Sequence, residues 1–136
     1  MTAQRLMSAP ASDCKVTAID ENHLGRMTLG DRRLEREVLE LFLRQTTLML
    51  NRIVGAQPPL AAAAAHTLKG SARGIGAWRV ARAAELLEDA VGDAGGHDAG
   101  CDLDDAITEL KAASLEVSAA IGARLTELLS ELGRER

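Results

Sequence analysis

Aromatic side chains are almost missing from this chain: its 136 residues contain one Phe (Phe42), one Trp (Trp78) and no Tyr. Sheet proteins fill their faces with aromatic and β-branched residues, so a β-sandwich or barrel is excluded. Proline is confined to Pro10, Pro58 and Pro59, outside the long periodic stretches. The two cysteines, Cys14 and Cys101, are too few and too far apart for a metal set or a disulfide framework, and are expected as reduced thiols. No apolar run approaches the ~20 residues needed to span a bilayer, and the first dozen residues lack the apolar core of a signal peptide. A formal net charge of −4 argues against general nucleic-acid binding. These absences leave one compact cytoplasmic domain with no membrane or nucleic-acid partner.

What is present is Leu, Ala, Val, Ile and Met in helical periodicity. Residues 1–17 lack periodicity and are expected to form a mobile tail before a domain over 18–136. A short helix is predicted from Asp20 to Met27. A long one follows from Asp31 to Val54, with an inward stripe of Leu34, Val38, Leu41, Gln45, Leu48 and Arg52 widened by Phe42, Met49 and Ile53. The next begins near Pro59, a favourable first-turn residue, and ends near Arg73 or Gly74. Its apolar side is Leu60, Ala64, Leu68, Ser71 and Ile75. A further helix spans Ala77 to Val91, and Gly92 to Cys101 reads as a glycine-rich loop. The last helix is predicted from Asp102 to Leu132, with Leu103, Ile107, Leu110, Val117, Ile121, Leu125, Leu128 and Leu132 inward. The fold class is therefore all-α, an antiparallel four-helix bundle with a short additional N-terminal helix.

Charge is unevenly spread. Gly55 to Ala84 carries four cations (Lys69, Arg73, Arg79 and Arg82) and no acid, which leaves −8 on the rest of the chain. Within this segment Ala62, His66, Lys69, Gly70 and Arg73 share the helix face opposite the apolar one. Leu68 lies about 200° around the helix from His66, so burial of Leu68 turns His66 outward. Gly70 breaks a local rule, since glycine inside a helix costs roughly 1 kcal/mol relative to alanine. It sits one turn beyond His66, and with Ala62 on the other side it keeps both flanks of the imidazole low. An exposed imidazole is a nucleophile near neutral pH, and Lys69 beside it can neutralise an attached anion, a pattern suited to phosphoryl transfer. A solvated face is the competing reading of the same spacing. His23 and His97 lack such neighbours and are expected to be solvated. No E-x-x-H motif supports a metal site within the bundle.

The run His66-Thr67-Leu68-Lys69-Gly70-Ser71-Ala72, followed by Gly76-Ala77 and later Leu87-Glu88, resembles the histidine phosphotransfer (HPt) family. Leu41-Phe42-Leu43-Arg44-Gln45 is similar to that family's preceding helix. The likeness is good over about residues 28 to 92 and rests on pattern alone in the last helix. It implies a four-helix bundle whose second helix carries H-x-x-K-G-S, and a histidine that exchanges phosphate with receiver-domain aspartates. Carried over, His66 is the phosphorylated residue, Lys69 the phosphate-neutralising cation and Gly70 the clearance residue. Gln45 orients the ring or is an ordinary buried polar residue; Ser71 supports the phosphate or only the helix. Arg73, in a departure from the family pattern, docks an acidic receiver or solvates the helix end, and Arg44 and Arg79 are further docking candidates. The implied partners are response-regulator receiver domains and a hybrid or sensor histidine kinase. No cofactor is expected on this chain, with Mg²⁺ expected on the receiver. The rival class is a helical interaction module without phosphate chemistry.

Overall fold

The computed structural model describes residues 18–92 and 99–134, and the side chains of its last helix from residue 103 onward. Among the described residues there are five helices and no strand: α1 (Glu21–Met27), α2 (Arg32–Ile53), α3 (Pro58–Ile75), α4 (Trp78–Gly92) and α5 (Ala99–Arg134). The N-terminal tail, His97 and most of the glycine-rich segment lie outside the described residues.

The first two helices start where an aspartate supplies their free amides with an acceptor. Asp20 caps α1 by accepting from the His23 amide at 3.1 Å, and Asp31 caps α2 through the amides of Arg33 and Leu34 at 2.9 and 3.1 Å. α3 has no side-chain cap at Gln57 and relies on Pro58 in its first turn. It ends at Gly76, which adopts the left-handed conformation at φ 83°. A Cβ at Gly76 would also lie 2.9 Å from the Asp20 Cβ, so two constraints require glycine there. The Asp20 amide donates to the Gly76 carbonyl at 2.9 Å, and Trp78 Nε1 donates to Asp20 Oδ2 at 3.1 Å. One aspartate thus joins α1 to the α3–α4 turn.

The connections over 54–57 and 76–77 are too short for anything but antiparallel neighbours. α2, α3, α4 and α5 each pack on the next, and α5 closes the ring on α2, while α1 lies on α3. The shared core is built from Leu39, Phe42, Ile53, Leu68, Leu87, Leu110, Ile121 and Leu128, with alanines between them. Ala61, Ala65, Ala72, Ala83 and Ala84 let α3 and α4 approach closely. No described helix is long and apolar enough to cross a membrane.

Three boundaries or faces differ from the sequence expectation. The inward stripe of α2 is Glu35, Leu39, Phe42, Thr46, Met49 and Ile53; Phe42, Met49 and Ile53 are where the sequence places them, whereas the stripe is centred one residue, or about 100°, beyond the expected Leu34, Val38, Leu41, Gln45, Leu48 and Arg52. Leu34, Leu41 and Leu48 are exposed. Periodicity alone favours leucine over Glu35, but Glu35 is buried against Arg124 of α5: Nε to Oε2 is 2.6 Å and Nη2 to Oε1 is 3.2 Å. In α3 the buried first-turn residue is Ala61 and Leu60 faces outward. α5 begins at Ala99, so the helix takes in residues up to Cys101 that glycine content assigned to a loop.

Candidate functional site

Leu68, Ala65 and Ala72 are wholly buried, and this fixes the rotation of α3. The opposite face then carries His66, whose side chain is 70% exposed. The imidazole is held by one partner. His66 Nδ1 lies 2.7 Å from Glu88 Oε2, a residue of α4. The other carboxylate oxygen, Oε1, is 2.7 Å from Lys69 Nζ, an ion pair rather than a well-directed hydrogen bond. Glu88 is 22% exposed and Lys69 16%, so the pair forms a half-buried floor under the open ring.

Electrostatics settle the protonation of this group. Burial pushes the Glu88 carboxyl up, but the contacts with Lys69 and then His66 outweigh it, and its pKa lies below the ordinary glutamate value. An ionised carboxylate only accepts hydrogen bonds, so Nδ1 must carry the proton. In the neutral ring, Nε2 is then the nitrogen with the free lone pair. The arrangement is an exposed imidazole oriented from behind, with an ammonium one helical turn away.

The other predicted residues divide into those near this group and those turned elsewhere. Ala62 is half-buried and Gly70 exposed on the same face. A Cβ at Gly70 would meet nothing within 4 Å. The glycine therefore does not relieve crowding of the ring, which turns toward α4. It leaves open surface beside it. Gln45 does not bond the imidazole; its Oε1 accepts a hydrogen bond from Ser71 Oγ, tying α2 to α3. The two polar groups sit in a cleft of about 250 Å³ with Leu41, Phe42 and Ile75. Arg73 is exposed and 3.9 Å from Glu85, and Arg44 is exposed without an ion pair among the described residues. Arg79 is turned to α5, where Glu109 and Glu116 each hold its guanidinium at 3.0 Å. That side chain is an inter-helix tie.

His23 is not solvated as expected. It stacks edge-on against Trp78 with ring centroids 5.0 Å apart, and its Nε2 is buried without a partner among the described residues. Among the described residues no group of side chains could hold a metal ion.

Glu88, to which the sequence assigns no role, is the residue that joins His66 to Lys69. A signal was available. With only residues 76–77 between antiparallel helices, the register that sets Arg73 beside Glu85 sets Lys69 and His66 beside Glu88.

Comparison with known proteins identifies the family and the fold. The family model described as Hpt domain matches residues 37–135. Among solved structures, the chain is similar to histidine phosphotransferase ShpA from Caulobacter crescentus at 30% identity, with 82% of this chain and 98% of that one covered and a TM-score of 0.55. A rice protein assigned as a histidine-containing phosphotransfer protein shares the fold at 15% identity, with 94% of each chain covered and a TM-score of 0.73. No curated protein matches the chain. On the family match over most of its length, and on the identity to ShpA, the chain belongs to the Hpt domain family.

Proposed function

We propose that this protein is the phosphocarrier of a two-component phosphorelay, accepting and returning a phosphoryl group at His66 Nε2. The observation that carries the reading is the exposed imidazole whose Nδ1–H is held by the Glu88 carboxylate at 2.7 Å, with Lys69 on the same carboxylate. The donor is the aspartyl phosphate of a receiver domain. The Nε2 lone pair attacks phosphorus in line, the bond from phosphorus to the aspartate oxygen breaks, and the receiver carboxylate leaves. The ring now carries positive charge with its proton still on Nδ1, and Glu88 stabilises that charge. Lys69 neutralises the phosphoryl oxygens, released from or shared with Glu88. The steps reverse when a second receiver takes the group away. Mg²⁺ belongs to the receiver in this scheme, and no nucleotide is used, so the chain acts as a relay intermediate rather than a kinase.

Receiver domains and the hybrid or sensor kinase that feeds them are the partners, within the cytoplasm. Docking uses the exposed surface around His66 that Gly70 leaves low, with Arg44 and Arg73 at its border. Incubation with a small phosphoramidate, followed by intact mass and by acid and base treatment, tests the reading. The expected product is acid-labile, base-stable and absent from His66→Gln. A folded wild-type chain that takes no phosphate from this donor or from a phosphorylated receiver would leave only an interaction module.

A further inference from the structure

The long helix α5 has a second face. Its inward residues Leu110, Val117, Ile121 and Leu128 seal the bundle. Outward, Ala112, Leu115, Ala119, Gly122, Thr126 and Leu129 recur at alternating spacings of three and four, and all six are exposed. That alternation is the seam of a helix that packs lengthwise against another helix. Leu115 is 74% and Leu129 55% exposed, and no other described residue covers them. Thr126 adds little polarity, since its hydroxyl donates to the Gly122 carbonyl at 3.1 Å. Gly122 has no internal reason to be glycine: a Cβ there would meet nothing within 4 Å, and a mid-helix glycine costs about 1 kcal/mol relative to alanine.

We infer that this face pairs two copies of the chain, with their α5 helices antiparallel. Antiparallel pairing brings each leucine against a small residue. Leu129 meets Ala112 of the second copy, Leu115 meets Thr126, and Ala119 meets Gly122 at the crossing, with each layer repeated by symmetry. Charge selects the same orientation. Exposed Asp104 and Asp105 stand near the start of the helix and Arg134 in its last turn. Antiparallel copies set acid against base at both ends and oppose the helix dipoles, whereas parallel copies set like against like. α5 and α3 occupy the diagonal of the bundle and are not packing neighbours, so both His66 side chains stay open in the pair. The result is a carrier with two independent phosphorylation sites facing away from each other.

Sedimentation of the full chain over a concentration series tests this. The expected result is a reversible dimer. Leu115→Asp and, separately, Gly122→Leu are expected to raise its dissociation constant about tenfold or more, with the helical content of the folded chain retained. Asp104→Lys combined with Asp105→Lys weakens an antiparallel dimer. A chain that remains monomeric throughout the series overturns the inference. So does a dimer indifferent to both seam substitutions, and a dimer that the two lysines do not weaken overturns the orientation. None of these readouts depends on phosphate chemistry.

Discussion

Two glutamates on opposite sides of the bundle hold cations from neighbouring helices, and they do different work. Glu35 of α2 is 7% exposed and grips Arg124 of α5; Arg32 joins from the same helix and also reaches Glu131. Its bond raises the Arg124 pKa well above the ordinary arginine value despite burial. Glu88 of α4 makes a similar pair with Lys69 but leaves its second oxygen to an imidazole that is 70% exposed. Both clusters close one helix on another. Only the second presents a nucleophile to water and to a partner, because the exposed member of the first, Arg32, is a guanidinium that stays charged. The exposed imidazole separates a reactive site from a structural clamp.

Substitutions should separate the two clusters. The largest effect is expected at His66→Gln, which abolishes phosphate uptake, measured by intact mass, while the melting temperature stays within a degree or two because the side chain is open. Next is Glu35→Gln, which leaves the largely buried Arg124 without its carboxylate; a loss of about 2–4 kcal/mol is expected in urea unfolding, with the phosphorylation of the remaining folded protein unaltered. A Glu35→Gln protein as stable as wild type would mean that the two clusters do not differ as argued.

Glu88→Gln should show the reverse pattern. Removing a charge-assisted hydrogen bond from the ring is expected to slow phosphorylation about tenfold to a hundredfold, with under about 1 kcal/mol of stability lost because Glu88 is 22% exposed where Glu35 is 7%. Equal rates for Glu88→Gln and wild type would remove Glu88 from the mechanism. The smallest effect concerns pH. The folded Glu88 carboxyl titrates below its unfolded value, so its contribution to stability is present above the unfolded pKa of about 4.3 and disappears as pH falls through the folded one. A carbon-detected NMR titration should place the Glu88 midpoint below the ordinary glutamate value, and Lys69→Met should move it up.

How much of this was legible differs between the bundle and the site. The helices declared themselves through leucine periodicity, the Asp20 and Asp31 caps and the proline pair at the start of α3, all local signals, whereas α3 runs on to Ile75 and its Gly76 cap, past the end expected near Arg73 or Gly74. The rotation of α2 was not legible, because burying Glu35 depends on Arg124, a residue far away in sequence. His66 and Lys69 were marked by their spacing and by the H-x-x-K-G-S resemblance. The partners of the site residues were harder. Gln45 reads equally well as a ligand of the ring or of any nearby hydroxyl, and only the packing of α2 on α3 brings it to Ser71. Arg79 sits in a basic segment of sequence, yet helix rotation turns it to two acids on α5.

The buried grip of Glu35 also bears on where the protein can be cut. The Hpt match begins at residue 37, two positions after the carboxylate that Arg124 needs and beyond the Asp31 that caps α2. A fragment trimmed to the match would keep His66, Lys69 and Glu88, yet strand a guanidinium between two helices and strip α1 from α3. The piece of sequence that defines kinship is thus shorter than the piece of chain that can stand alone, and expression boundaries for this protein belong upstream of Asp20.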